Sequence, residues 1–387
     1  DYGGAVYHGI AENCIFIGNS ADDAGGAAIE VKAMNSIFTN NSASNGGTGG
    51  GGAICDGSAV NCIFTNNSAD RIGGAIVGGT AEKCTFNNNY LTGEYTCGGA
   101  IYSGNAVNCN FTGNSASIGG AMGSDDYDAR CSAKNCIFTG NKAVYVGGAI
   151  YNGSAENCIF KSNSAGENGG AMIYGSAKNC TFTGNSAIND SDTCNGTVTY
   201  YTKVTAPKVT ATYNVNKYLV VTLKDSFGNI LVNQKVTVKV GTISKTLITN
   251  SKGQVSVLVS KLIPKTYTAS ISFAGDKTYL KSSSSVKVVV KKATPKLTAK
   301  AKTFKRTVKT KKYKITLMTN KGKVMKKVKV TLRVNKKTFT AKTNSKGVAT
   351  FKITNLKKKG KFTAVIKYAG SKYYNKVTKK PKITIKA

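Results

Sequence analysis

Three groups of side chains have types and spacings that could do chemistry. The first is acidic: Asp125, Asp126 and Asp128 lie within four residues, with Tyr127 among them. Carboxylates this close could hold Ca²⁺ or act as the acid and base that cleave a glycosidic bond. Nothing else marks a catalytic partner for them, and a solvated acidic loop accounts for the same residues. The second group is the eleven cysteines, which contain no C-x-x-C pair. His8 is the single histidine, so no His-rich metal site and no Ser/His/Asp or Cys/His triad can be assembled. The third group is cationic. Residues 200–387 hold 46 of the 54 basic side chains against Asp225 and Asp276 alone, and 31 basic residues from position 293 onward face no acid. No catalytic residue, cofactor or metal is expected, and the chain reads as a non-enzyme.

The elements that must position these groups are repeats. Over residues 1–199, F-x-x-N recurs at Phe16, Phe38, Phe64, Phe86, Phe111, Phe138, Phe160 and Phe182. The paired asparagines are Asn19, Asn41, Asn67, Asn89, Asn114, Asn141, Asn163 and Asn185. G-G-A alternates with it, starting at Gly3, Gly25, Gly51, Gly73, Gly98, Gly119, Gly147 and Gly169. The basic spacing is 22 residues, lengthened by insertions around 43–50, 90–97 and 123–131. Short β-prone runs between Gly, Asn and Ser turns at this period predict a right-handed parallel β-helix of about eight coils, roughly 40 Å long at the spacing of paired strands.

Stacked coils place equivalent residues in ladders. In N-C-x-F, strand alternation puts Phe inside together with Cys14, Cys62, Cys84, Cys109, Cys136, Cys158 and Cys180, Ser36 replacing the thiol on one coil. These cysteines read as buried free thiols, because parallel neighbours point the same way and strain a disulfide. A bond among Cys55, Cys97, Cys131 and Cys194 stays open. The F-x-x-N asparagines should stack amide on amide, and the Gly pair suits a corner of positive φ. Lys134, Glu156 and Lys178 form an exposed ladder of alternating charge. Insertions on such a scaffold are where function is expected. N-x-[ST] sequences at Asn40, Asn66, Asn110, Asn152, Asn189 and Asn195 are compatible with surface glycosylation.

The paired F-x-x-N and G-G-A-[ILV] motifs resemble those of the chlamydial polymorphic outer-membrane proteins and of adhesin-like surface proteins of methanogenic archaea. The resemblance implies an exported surface protein. The absence of a following β-barrel translocator favours the archaeal likeness. The chain begins inside a repeat, so an upstream segment is expected, and no run of residues is apolar enough to span a bilayer. Free thiols would be tolerable in an anoxic habitat.

The basic part repeats at about 94 residues: TNSKG at 249–253 returns at 343–347, and FAGDKTY from Phe273 returns as YAGSKYY from Tyr368. Alternating strands such as KVTVKV and KVKVTLRV predict two antiparallel Ig-like sandwiches, resembling bacterial-type Ig-like domains. Domains are expected at 1–199, 200–292 and 293–387. Lys327, Lys329 and Arg333 alternate with buried valines and Leu332, which assigns them to binding an anionic cell-wall polymer. Lysine far outnumbers arginine, so nucleic acid is the less suited partner. Isopeptide crosslinks are not expected, as the second module lacks an acid. The reading is an extracellular adhesin-like protein of the cell surface or wall, whose β-helix contacts glycans or surface proteins of another cell. The alternatives are a β-helix polysaccharide lyase or hydrolase and a purely structural wall protein.

Overall fold

The computed structural model describes residues 3–44, 50–125 and 129–387, with the side chain of Cys194 excepted. It has two compact units: Asp1–Tyr201 with Gly275–Leu280, and Thr202–Ala274 with Lys281–Ala387. No helix among the described residues is long and apolar enough to cross a membrane.

The first unit is a parallel β-solenoid. Eight strands from Ile15–Ile17 to Thr181–Thr183 form one sheet in strict chain order, and each xFx triplet pairs in register with the next. A second face carries the serine–alanine pairs from Ser20–Ala21 to Ser164–Ala165. The G-G-A strands and the strands that follow them form the rest of the wall, joined through the long strand Ala28–Met34. The coil closes because its inward residues are graded in size. Phe fills one side, Cys and Ala the adjoining corner, and the G-G-A alanines Ala27, Ala53, Ala75, Ala100, Ala121, Ala149 and Ala171 sit at 0 % exposure opposite. Their neighbours Ile54, Ile76, Ile101, Met122, Ile150 and Met172 complete the core.

The G-G-A corner cannot be built from other residues. The first glycine has φ between +57° and +74° on every coil. At the second, an added Cβ would meet the next coil's glycine carbonyl, at 2.3 Å for Gly120 against Gly148 O. Chain packs directly on chain there.

In the second unit the first module pairs Thr202–Thr205, Tyr218–Asp225 and Gln254–Leu258 against a five-stranded sheet built on Lys235–Val240 and Thr266–Phe273. The second module has sheets of three, three and four strands around Tyr313, Leu332, Phe351 and Ile366. Each module departs from the all-antiparallel expectation once: Val209–Thr212 runs parallel to Ser282–Lys291, and Lys302–Lys305 parallel to Lys382–Lys386. In the first case the chain leaves Thr202–Thr205 through Pro207, which cannot donate to a ladder, and crosses to the other sheet without reversing. The repeated TNSKG motif is a lock. Thr249 and Thr343 are buried, their hydroxyls donating to Leu231 O and Met325 O (2.6 and 2.5 Å). Asn250 and Asn344 turn the chain by accepting two backbone N–H groups each, and Gly253 and Gly347 take positive φ.

Candidate functional site

The structure places the eight Phe rings in one stack, with centroids 4.7–5.1 Å apart and planes within 8°. Offset parallel rings at this separation add to their burial. Each F-x-x-N asparagine bridges coils. Asn114 accepts from the backbone N–H and the amide of Asn89 (2.9 and 3.0 Å) and donates to Phe86 O and Asn141 Oδ1 (3.0 and 2.9 Å). Asn41, Asn67, Asn89, Asn141 and Asn163 repeat the pattern at 0 % exposure. At the ends Asn19 is half-buried, and Asn185 donates to Asp192.

Sequence reasoning missed a second asparagine column. Asn13, Asn35, Asn61, Asn108, Asn135, Asn157 and Asn179, just before the ladder thiol or Ser36, have φ of +49° to +58°, a conformation that Asn tolerates better than most residues. Their amides also chain together, as in Asn61 to Asn35 at 2.9 Å and Asn179 to Asn157 at 2.7 Å. The N in N-C-x-F was the available signal.

Among the described cysteines all ten are free thiols. The ladder sulfurs bond lengthwise: Cys62, Cys84, Cys109, Cys136 and Cys158 each donate a backbone N–H to the next sulfur at 3.4 Å. Cys14 at the end is half-buried. Burial pushes the thiols of Cys55 and Cys131 up to about 12, with Asp56 adding to the effect on Cys55, and burial also holds Cys97 well above the ordinary thiol value. These groups are protonated and inert near neutral pH.

On the outer wall Lys134, Glu156 and Lys178 fall in one register column, with Lys178 Nζ 3.3 Å and Lys134 Nζ 3.9 Å from the carboxylate. Tyr201 donates its hydroxyl to Glu156, and Lys178 sits 4.7 Å above the Tyr201 ring. The Tyr201 bond first, then the two lysines, lower the Glu156 carboxyl below its usual range.

Of the acidic loop, Asp126 and Asp128 lie outside the described residues. Asp125 accepts a hydrogen bond from the Tyr102 hydroxyl, and burial followed by this carboxylate raises that phenol. Among the described residues no cluster of three metal-ligating side chains occurs. Asp125 and Arg130 instead end a groove of about 480 Å³ whose floor and rim come from three successive coils, through Tyr151–Ser154, Tyr174–Ser176 and Asn195–Thr197. Tyr151 and Tyr174 meet edge to face at 5.8 Å. Asn152, one of the glycosylation sequences, is corrected: it is 6 % exposed and donates its amide to Ser124 O, leaving no room for a glycan. In the insertion at 90–97, Tyr95 is 80 % exposed and stacks on Tyr145 at 6.2 Å.

In the second module Lys329 and Arg333 do alternate with buried Val330, Leu332 and Val334. Lys327 is exposed as well, with Val328 half-buried against the core, but the strand begins only at Lys329: Lys327 has φ +57° and donates its backbone N–H to Thr343 O before the strand starts. Three exposed lysine pairs lie directly opposite across strands: Lys329 with Lys342, Lys312 with Lys352, and Lys305 with Lys386. Like charges so placed destabilise a sheet. Lys329, Lys367 and Lys376 also border a shallow groove of about 870 Å³ with Thr331 and Thr378.

A comparison with curated proteins gives no match. Among solved structures, a 1.5-MDa bacterial ice-binding adhesin matches 51 % of this chain and 68 % of its own at 12 % identity, with a TM-score of 0.24. Invasin, a bacterial integrin-binding protein, matches 49 % of this chain at 15 % identity and TM-score 0.30, and the match spans 40 % of the invasin chain. Fibronectin(III)-like modules of Clostridium thermocellum CbhA match 48 % of this chain and 94 % of theirs at 15 % identity and TM-score 0.20. Of the two likenesses drawn from the motifs, the chlamydial one is matched. In its solenoid the chain is similar to the Chlamydia polymorphic membrane protein repeat, at residues 35–56, 61–79 and 135–153.

Proposed function

We propose that this is an extracellular adhesin-like surface protein in which the solenoid, over residues 1–199, makes contact, and two modules, 200–292 and 293–387, form a stalk that holds an anionic cell-wall polymer. The observation that carries the reading is the set of lysine pairs facing each other across strands in a module with no carboxylate. Such a surface is self-repelling, and a polyanion laid along it relieves the repulsion. Lysine suits diffuse attraction better than two-pronged phosphate recognition, which Arg306 and Arg333 alone could supply. The groove beside Lys329 has Tyr368 as its one aromatic lining residue, and that ring is buried, so it offers no platform for stacking bases. The solenoid carries the opposite balance, 8 basic against 16 acidic residues, and its repeat class is named for membrane proteins of Chlamydia. Both fit display at a surface. The solenoid would act by repetitive contact without catalysis, on glycans or surface proteins of another cell.

The test is attachment of beads coated with the intact chain to cultured cells and to bare wall preparations. Attachment to both, inhibited on walls by soluble polyglutamate and on cells by free chain, is the expected result. Beads that ignore cells at every salt concentration would contradict the contact role.

A further inference from the structure

We propose that the groove around Tyr174 is a subsite for a neutral linear carbohydrate, with Tyr174 as its stacking platform. This rests on the adhesin reading and names the ligand class.

One corner column holds Glu30, Asp56, Gly78, Ser103, Asn152, Tyr174 and Asn195 on different coils, the non-glycine residues each with φ between +50° and +52°. Asp, Asn and Ser suit this left-handed corner because a short polar side chain can bond locally to the backbone. Tyrosine gains nothing of the kind, and a bulky residue at positive φ is a backbone outlier. The fold does not require it there, since the coils on either side manage with Asn152 and Asn195. Strain of this sort collects at binding sites.

The surroundings fit a sugar chain. The Tyr174 ring is 48 % exposed and lines the groove with Tyr151. Ser154, Ser176 and Thr197 follow in register along one wall, one hydroxyl per coil at the spacing of paired strands, about 4.8 Å. Gly153 and Gly175 let the coils meet closely beneath the groove: a Cβ on Gly175 would lie 2.0 Å from Gly153 O, and one on Gly153 2.4 Å from Cys131 Sγ. An aromatic face beside a row of hydroxyls matches a ligand with apolar C–H faces and hydroxyl edges. The described charged lining residues, Asp125 and Arg130, are one of each sign, so no excess of cations favours a uronate.

The experiment compares the intact chain with Tyr174→Asn and Tyr174→Phe on immobilised xylan, mannan, galactan and cellulose, and measures Tm for each. We expect the wild type to be retained on at least one polysaccharide. Tyr174→Asn should lose that retention at least tenfold while melting about 2–4 °C higher, the shift that relief of modest strain produces in a unit of this size. Tyr174→Phe should keep both properties. Equal retention by Tyr174→Asn, or a lower Tm, overturns the assignment. If no polysaccharide holds the wild type while coated beads still attach to cells, the subsite is wrong and the adhesin reading stands. If neither attaches, both fail.

Discussion

Phe86 and Phe111 stack with centroids 4.7 Å apart and planes 4° apart although 25 residues separate them, the same contact that Phe16 and Phe38 make across 22. The extra residues leave the core untouched and enlarge only the turn that carries Tyr95. A solenoid can therefore vary its edges while its interior repeats, and this separates architecture from function in the chain.

The Phe stack should dominate the stability of the first unit. Phe111→Ala, at a fully buried central position, is expected to cost about 3–5 kcal/mol in urea unfolding. Phe182→Ala, at the half-buried end, should cost clearly less. Equal losses would show that the stack is not the core.

The asparagine ladder makes a sharper case. Asn114→Ala removes four hydrogen bonds and leaves the Asn89 N–H and Phe86 carbonyl buried without that partner, at about 1–3 kcal/mol for each stranded group. Asn114→Asp should be no milder, because its carboxylate cannot donate to Phe86 O or to Asn141 Oδ1. Chemical denaturation of the two variants checks both.

Glycines of the two corner types should respond differently. Gly120→Ala drives a Cβ against Gly148 O and Lys142 O and is expected to cost about 1–3 kcal/mol or more, as overpacking does. Gly140→Asn should be near neutral, since φ is +63° with open space and Asn40, Asn66 and Asn88 hold the equivalent place on other coils. Comparison of melting temperatures decides it.

Much of this was legible because the repeat states each rule eight times. Phe, Cys, Asn and the Gly pair recur at fixed offsets, so a ladder follows from spacing alone. The groove was not legible. Tyr174, Ser154 and Arg130 share no motif, and they meet only because coils some 22 residues apart stack. The strain at Tyr174 appears only once its column is aligned with Asn152 and Asn195. The start of one strand was not legible for a local reason: K-V-K-V reads as continuous alternation and Lys327 is exposed, but the backbone turns through positive φ at Lys327 before the strand begins.

The Glu156 clamp predicts a pH dependence. Its carboxyl is lowered in the folded chain, so its contribution is present above the ordinary carboxylate value and is lost as pH falls through the folded value. The first unit should therefore melt lower as pH drops from 5 towards 3, and Glu156→Gln should flatten part of that slope. The side chain is partly exposed, which keeps the effect small.

The described thiols should resist alkylation in the folded state. With Cys131 and Cys55 pushed up to about 12 and the ladder sulfurs buried, iodoacetamide at pH 8 should label Cys14 first and the others only in guanidinium. Mass spectrometry counts the adducts, and rapid labelling of the central ladder at native pH would contradict the packing.

The measurement that bears most directly on the proposed anchoring is cosedimentation of the intact chain with purified anionic cell walls across a salt series, beside a Lys329→Gln, Lys342→Gln, Lys367→Gln variant. The account predicts pelleting at low salt, release as salt rises through a few tenths molar, where screening shortens to below about 10 Å, and earlier release for the variant. A chain that stays in solution at low salt, or a variant that releases with the wild type, would contradict it.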